Sequence, residues 1–326
     1  MNKNNRDSNM VSIIVPMFNE EKVISSTVSQ LKDTLNSLPE SWEVLLVDDG
    51  STDKTAAIAK DLAENDDRIH LFSYSPNVGR GKALRVGFEN ARGKFIVSND
   101  ADLSYHPKYI LDIIRVLREE PNVDVVIGSP YTKGGSTEGI PFLRLLISKI
   151  GNKIISFALP GNLSTVTSIF RGYRCEALET MEFESDGKEI HLEILSKALE
   201  LGYKVKEIPV VLKGRTKGKS KFKFRSTATS HILFSFFEKP MMLFGLLGLF
   251  FIFGGLACGI YVTYLRFEGM LNPQRPLMYL TVLLVLAGIQ MLSFGFISIQ
   301  MRNLRSEIYK VRKENKQLQR QIKKKG

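Results

Sequence analysis

Asp100 and Asp102 stand one residue apart where an apolar run ends, in the stretch Phe95-Ile96-Val97-Ser98-Asn99-Asp100-Ala101-Asp102-Leu103-Ser104. Side chains at i and i+2 of an extended segment point the same way. The two carboxylates can therefore converge on one hard divalent cation, Mg²⁺ or Mn²⁺, and leave positions for diphosphate oxygens. Taken alone, an Asp-x-Asp is more often the mark of two solvated loop residues. A second acidic pair, Asp48 and Asp49, closes the apolar run 43–47 and opens into Gly50, Ser51, Thr52 and Asp53. Asn77, Val78, Gly79, Arg80 and Gly81 follow a third such run. Each cluster with chemistry to offer thus comes directly after a β-type segment.

The elements that must carry these clusters alternate in period. Residues 10–16 read as a strand, and Val23, Ile24, Val28, Leu31 and Leu35 as one helical stripe. Strands are expected at 43–47, 69–74 and 95–97, with helices at 54–64, capped by Ser51, Thr52 or Asp53, and at 82–91. That alternation implies an α/β domain whose mostly parallel sheet is covered on both faces, with ligands at the carboxyl ends of the strands. Further on, the pattern predicts a helix over 109–117 and a strand over 123–127. A long polar stretch, 128–139, reads as a mobile or functional loop. An amphipathic helix is expected over 142–159, bearing Arg144, Lys149 and Lys153, then a strand-like segment 163–170 leading to Arg171, Gly172, Tyr173 and Arg174. A helix over 189–201 and a last strand over 205–212 complete this part.

The 326 residues are 44% hydrophobic and carry a formal charge of +11, so the chain has material for a core and an affinity for anions. The basic residues gather after about position 202 beside apolar, membrane-like runs, which favours lipid phosphates and a membrane surface over nucleic acid. Cys175 and Cys258 lie far apart, giving neither a disulfide framework nor a zinc site. Residues 1–10 form a polar tail without an apolar signal region. Past residue 225 the composition changes. Residues 226–239 suit an amphipathic juxtamembrane helix through Ile232, Leu233, Phe236 and Phe237, and 240–300 form a hairpin of two spans, 241–264 and 277–299. The turn between them is lightly charged and both outer flanks are basic, so the positive-inside bias puts the bulk of the chain and its C-terminus in the cytoplasm. In the basic tail 301–326, Met301, Leu304, Ile308, Val311, Asn315, Leu318 and Ile322 recur at a and d positions. Glu307 and Glu314 fall at g, and Arg305 and Arg312 at e. The tail reads as a short coiled coil favouring a homo-oligomer, or as a basic helix on anionic lipid.

In their order along the chain these motifs resemble the family 2 glycosyltransferases of GT-A fold, and more narrowly dolichyl- or polyprenyl-phosphate mannosyl- and glucosyltransferases. The resemblance rests on Val15-Pro16-Met17-Phe18-Asn19-Glu20, Asp48-Asp49-Gly50-Ser51, Asn77 to Ala83, and Asp100-Ala101-Asp102-Leu103-Ser104. It continues through Arg144, Ser148, Lys149 and Asn152, then Arg171 to Arg174, Glu193, and Arg215 to Lys221. It implies a catalytic domain over 11–225, with Pro16, Phe18, Glu20, Asp48 and Asp49 around the donor nucleotide, Lys82 and Lys221 among the binding residues, and Asp100 and Asp102 holding Mg²⁺ or Mn²⁺. Arg171, Arg215 and Lys221 would meet phosphates of donor or lipid acceptor. Two positions depart from the pattern: Pro130 stands where many relatives have Arg in Gly-Ser-Arg-Tyr, and Thr165 where an acidic residue is common.

The implied reaction moves one hexose, weakly favouring GDP-mannose over UDP-glucose, to polyprenyl or dolichyl phosphate with inversion. A glycan- or glycolipid-extending transferase is an alternative that would call for a further acceptor motif and more spans. A catalytically degenerate, membrane-tethered binding protein is another, which the full acidic and basic set disfavours.

Overall fold

The computed structural model describes residues 7–158, 163–214, 240–270 and 276–325. The chain divides into two compact units, one running to residue 231 and the other from residue 232. The first unit is built on a seven-stranded sheet of order β3-β2-β1-β4-β7-β5-β8, formed by β1 (Asp7–Met17), β2 (Ser41–Asp49), β3 (Ile69–Tyr74), β4 (Gly93–Ser98), β5 (Val125–Ser129), β7 (Arg171–Arg174) and β8 (Val205–Pro209). All neighbours run parallel except β7, which lies antiparallel between β4 and β5. Eight of the nine β2 residues are buried, as a strand covered on both faces requires.

Helices α1 (Ile24–Leu35), α2 (Thr55–Glu64), α3 (Arg80–Asn90) and α4 (Lys108–Glu119) follow the first four strands. In α4, Ile110, Ile113, Ile114 and Leu117 fall at i, i+3, i+4 and i+7 and are fully buried. Each such side chain contributes about 1.5–3 kcal/mol of transfer free energy. Gly172 of β7 accepts this face: a Cβ there would lie 2.1 Å from Ile113 Cγ2. Arg174, at the end of β7, donates to the carbonyls of Val123 (2.7 Å), Glu120 (3.0 Å) and Leu117, satisfying the C-terminus of α4.

Four expectations needed correction here. Residues 163–170 form no strand; the strand begins at Arg171. The stretch 128–139 is not a free loop, because Ser136–Glu138 (β6) pairs in parallel with Val211–Lys213 (β9), and the expected last strand is split into β8 and β9 after Pro209. No side chain caps α2 at its Ncap, Lys54, but Asp53 Oδ1 accepts the amide of Thr55, the first helical residue, at 2.9 Å. Helices α5 (Phe142–Ala158), α6 (Cys175–Thr180) and α7 (Ile190–Glu200) complete the unit. The expected amphipathic helix 226–239 lies outside the described residues.

The second unit holds α8 (Pro240–Phe267) and α9 (Pro276–Lys325). Both contain stretches long and apolar enough to cross a membrane, of 24 and 29 residues. They meet at Gly248 and Gly288, where an added Cβ on Gly288 would lie 2.5 Å from Ile252 Cγ1 and 2.8 Å from the Gly248 carbonyl oxygen. Small residues give apolar helices this close approach, which dispersion then rewards.

Candidate active site

Chain order and spatial order part between β1 and β4: the chain winds outward through β2 to β3, then returns to β4 on the other side of β1. At such a switch point the loops leaving the carboxyl ends of neighbouring strands diverge and open a crevice. The loops here are residues 18–23 after β1 and 99–107 after β4, with 50–54 after β2 beside them.

Asp100 and Asp102 follow β4 directly. Asn99 extends the ladder by donating its amide to Ile14 at 3.0 Å, and its side-chain oxygen accepts the Asp100 amide at 2.9 Å. Leu103 then takes a left-handed φ of 49°. Asp102 Oδ1 accepts the amide (3.0 Å) and hydroxyl (2.7 Å) of Ser104. Between the two carboxylates, the Ala101 carbonyl receives the buried Thr27 hydroxyl at 2.6 Å. The turn is fixed by its own bonds while both carboxyl groups stay partly exposed. Arg80 Nη2 lies 3.1 Å from Asp100 Oδ1. Hard oxygen donors on a solvent-reached turn fit Mg²⁺ or Mn²⁺. No group of three His, Cys, Asp or Glu converges among the described residues, so water or substrate oxygens would complete a cation's shell.

Pro16 lies near the end of β1, beside Val47 in register, and Phe18 and Glu20 in the loop that follows. This loop is stitched to the one after β2. Asn19 Oδ1 accepts the Thr52 amide at 2.7 Å, and the Asn19 and Glu20 amides donate to Ser51 Oγ (2.9 Å) and Thr55 Oγ1 (2.7 Å). Asp48 and Asp49 are only 2% and 4% exposed. Asp48 accepts the hydroxyls of Ser51 and, at 3.0 Å, Ser73. Asp49 accepts Asn77 Nδ2 (2.7 Å) and the amides of Val78 (2.9 Å) and Gly79 (3.0 Å), so it brackets the loop before α3. Burial, and next to it the Asp49 carboxylate, pushes the Tyr74 phenol well above its ordinary range.

The N-terminus of α3 is occupied by protein. The amides of Gly81 and Lys82 donate to the Asp186 carbonyl at 2.7 and 3.2 Å. A Cβ on Gly79 would lie 2.4 Å from that oxygen, and one on Gly81 2.3 Å from the Ser185 carbonyl. The glycines therefore admit the segment 182–188, and the Lys82 amide is spent on it. Arg85 pairs with Asp186 and donates to Phe183 O at 3.0 Å. On the segment's other side, Glu193 accepts the amides of Glu184 and Ser185 at 2.9 Å each and pairs with Lys197 at 2.6 Å. Burial raises the Glu193 pKa, but Lys197 and these amides outweigh it and hold the carboxyl below its ordinary value. The segment brings Lys188 into the fields of Arg80 and Asp100; burial, then Arg80, makes its proton easier to lose.

Arg171 is placed differently from the phosphate-contacting position expected of it. Its side chain is 0% exposed, and its guanidinium donates to the carbonyls of His191 (2.7 Å) and Val166 (2.6 Å). A strand inserted between β4 and β5 buries what it carries, so in this structure Arg171 ties segment 163–170 to α7. Arg215 and Lys221 lie outside the described residues; before them, Lys213 donates its amide to the Ser104 carbonyl at 2.9 Å, next to the acidic turn.

Side chains from other elements surround the two departing positions. Glu207 of β8 accepts the amides of Ser164 (2.9 Å) and Thr165 (2.7 Å), and the Thr165 hydroxyl meets Ser129 Oγ at 2.7 Å. Asn152 Oδ1 accepts the Val166 amide at 2.9 Å. Beside Pro130, Tyr131 donates to Ser148 Oγ at 2.9 Å, and Lys149 Nζ stands 5.8 Å from the Tyr131 ring centre. Glu207, Lys188 and Asp186 escaped the sequence reading. The one available signal was a lone carboxylate, Glu207, just before Ile208 in a β-type run.

Three comparisons bear on this arrangement. The family model for glycosyl transferase family 2 matches residues 12–181. A polyprenol monophosphomannose synthase of Mycolicibacterium smegmatis is 31% identical over 223 residues, covering 66% of this chain and 82% of that protein. A dolichol-phosphate mannosyltransferase of Pyrococcus furiosus is 34% identical over 215 residues, covering 65% of this chain but only 59% of that longer protein. Among solved structures, glucosyl-3-phosphoglycerate synthase of Mycobacterium tuberculosis, bound to phosphoglyceric acid, superposes with TM-score 0.55 at 18% identity. That match covers 71% of this chain and 80% of the other. The same enzyme crystallised with Mn²⁺, UDP and phosphoglyceric acid gives 0.54 at 18% identity, covering 71% and 78%.

Proposed function

The chain belongs to glycosyl transferase family 2, with the GT-A fold, and from that premise we propose that it moves one hexose from a nucleoside-diphosphate sugar to polyprenyl or dolichyl phosphate at the cytoplasmic face of a membrane. The observation that carries the reading is the acidic turn Asp100 to Ser104, built at the switch point of the sheet and faced by Arg80. GDP-mannose is the preferred donor, supported by the mannose named in both relatives, with UDP-glucose second. Membrane residence is supported by the two apolar helices.

In this reading Pro16, Phe18, Glu20 and Asp48 surround the base and ribose, while Asp49 acts one step back by holding the 77–79 loop. Asp100 and Asp102 would hold Mg²⁺ or Mn²⁺; the Mn²⁺ in the structural neighbour with UDP supports a divalent ion. Such an ion, when bound, offsets the charge that develops on a departing nucleoside diphosphate. Arg215 and Lys221 remain proposed phosphate contacts, and Lys82 can contribute through its side chain. A lipid phosphate has a second pKa of about 6 and is largely dianionic at neutral pH, so it can attack without a protein base. His106, the nearest histidine in sequence, spends Nδ1 on the Lys108 amide at 3.2 Å, at the start of α4. Direct displacement inverts the anomeric centre.

Membranes containing the protein, incubated with labelled GDP-mannose, UDP-glucose or UDP-N-acetylglucosamine, should pass label from the first into the lipid phase as a single hexose on a phosphate. Label appearing only in longer glycans would favour the extending transferase. No transfer from any donor would favour a binding protein.

A further inference from the structure

The two faces of α9 differ in what they meet. Gly288 lies against α8, with no room for a Cβ beside Ile252 and the Gly248 backbone. At about 100° per residue, Gln290 stands roughly 200° further round, on the face turned away from α8. There it is exposed. In hydrocarbon an exposed carboxamide is costly until another group takes up its hydrogen bonds. Gln290 also lies 14 residues before Leu304, so it occupies the same d position of the heptad pattern. Because α9 is one helix from Pro276 to Lys325, that stripe continues from the span into the tail, with Phe294 on its edge meeting Phe244 of α8 at 6.2 Å between ring centres. Met301, Leu304, Ile308, Val311 and Leu318 on it are 65%, 59%, 48%, 54% and 55% exposed.

We propose that this face of α9 is the interface with α9 of a second copy of the chain, packed in parallel from Gln290 to Leu318. Copies inserted with the same orientation bring their α9 helices side by side with the same polarity, and a two-fold axis sets each residue against its own counterpart. Gln290 and Asn315 suit that symmetry, since a carboxamide both donates and accepts and can pair with itself. In the tail, Glu307 at g would face Arg312 at e of the partner helix; in the single chain it meets Lys310 at 3.1 Å. The drift of about 20° per heptad in a straight helix is taken up by a left-handed supercoil. The inference rests on α8 and α9 lying in a bilayer; it does not depend on which sugar is moved.

The test uses the full chain in its membrane, with Cys175→Ser and Cys258→Ala removing the native thiols. Under mild copper-phenanthroline oxidation, Gln290→Cys and Asn315→Cys should each give a cross-linked dimer. Lys310→Cys, at an outer position, should give at least about five-fold less. Gln290→Leu should weaken association in detergent, measured by light scattering, about three- to ten-fold. No cross-link at 290 and 315, or an equal yield at 310, overturns the interface. A tail protected from proteolysis by phosphatidylglycerol vesicles, with neither cross-link formed, assigns the stripe to lipid and overturns it too. Release of the protein by alkaline carbonate would overturn the bilayer reading itself, and so is told apart from failure of the interface.

Discussion

The carbonyl oxygen of Asp186 accepts the amide of Gly81 at 2.7 Å, at the head of α3, where a helix offers its unpaired amides to an anion. Gly81→Ala would put a Cβ 2.3 Å from the Ser185 carbonyl, against backbone that has nowhere to go. The substitution should cost about 1–3 kcal/mol and free the 182–188 segment. The checks are a lowered urea midpoint and faster protease cleavage within that segment; unchanged cleavage would refute the packing role.

Glu193 anchors the same segment, and its protonation has a definite sign. Its pKa is lower in the folded chain than its ordinary 4.5, so the folded state binds fewer protons and stability rises with pH through the window. The contribution is present above 4.5 and is lost as pH falls below it toward the folded value. Glu193→Gln should flatten the acid limb of the stability curve. Glu193→Ala, which leaves Lys197 with the Glu182 carbonyl but without its carboxylate, should cost about 3 kcal/mol at pH 7. Identical acid titrations for wild type and Glu193→Gln would count against the assignment.

Asp100→Asn and Asp102→Asn should each reduce transfer by at least about a hundred-fold and abolish Mn²⁺ binding, while circular dichroism and melting stay near wild type. Arg80→Gln should work the other way on the ion, tightening Mn²⁺ binding to the free protein about two- to five-fold, because a partly exposed ion pair no longer competes. Electron paramagnetic resonance of free Mn²⁺ measures both. Normal turnover of Asp102→Asn in saturating Mg²⁺ or Mn²⁺ would remove the metal role.

Glu207→Ala leaves the Ser164 and Thr165 amides without their carboxylate and should cost about 1–3 kcal/mol. KM for the lipid phosphate should rise with KM for the donor unchanged, because Thr165 is one of the two positions that depart from the family pattern. A donor effect of equal size would point to general unfolding.

Topology has its own test. A membrane-impermeant thiol reagent outside intact cells should label a cysteine at Asn272, between the spans, and not one at Lys324 in the tail. The reverse pattern would invert the proposed orientation.

Much of the catalytic unit was legible because its elements are periodic: Ile110, Ile113, Ile114 and Leu117 announce α4, and the β-branched runs before Asp48 and Asp100 announce strands that end in loops. What failed was non-local. Nothing in Arg171-Gly172-Tyr173-Arg174 says which strands will flank it, so a guanidinium that the sheet buries looked like a phosphate ligand. The packing around Gly79 and Gly81 was out of view for the same reason, since the carbonyls that fill their space come from about a hundred residues later. Glu207 was hidden because its partners are backbone amides, which every residue possesses.

The antiparallel strand β7 also orders events during synthesis. β4 ends at Ser98, yet the strand that covers its far edge begins at Arg171, and β5 then waits for β8 at Val205. A ribosome adding about 5–20 residues per second leaves the edge of β4 bare for several seconds. During that interval β1 to β4 can already pair among themselves, since their parallel contacts need nothing beyond residue 98. A nascent chain halted between residues 100 and 170 would therefore present an open, apolar strand edge to chaperones or to another chain.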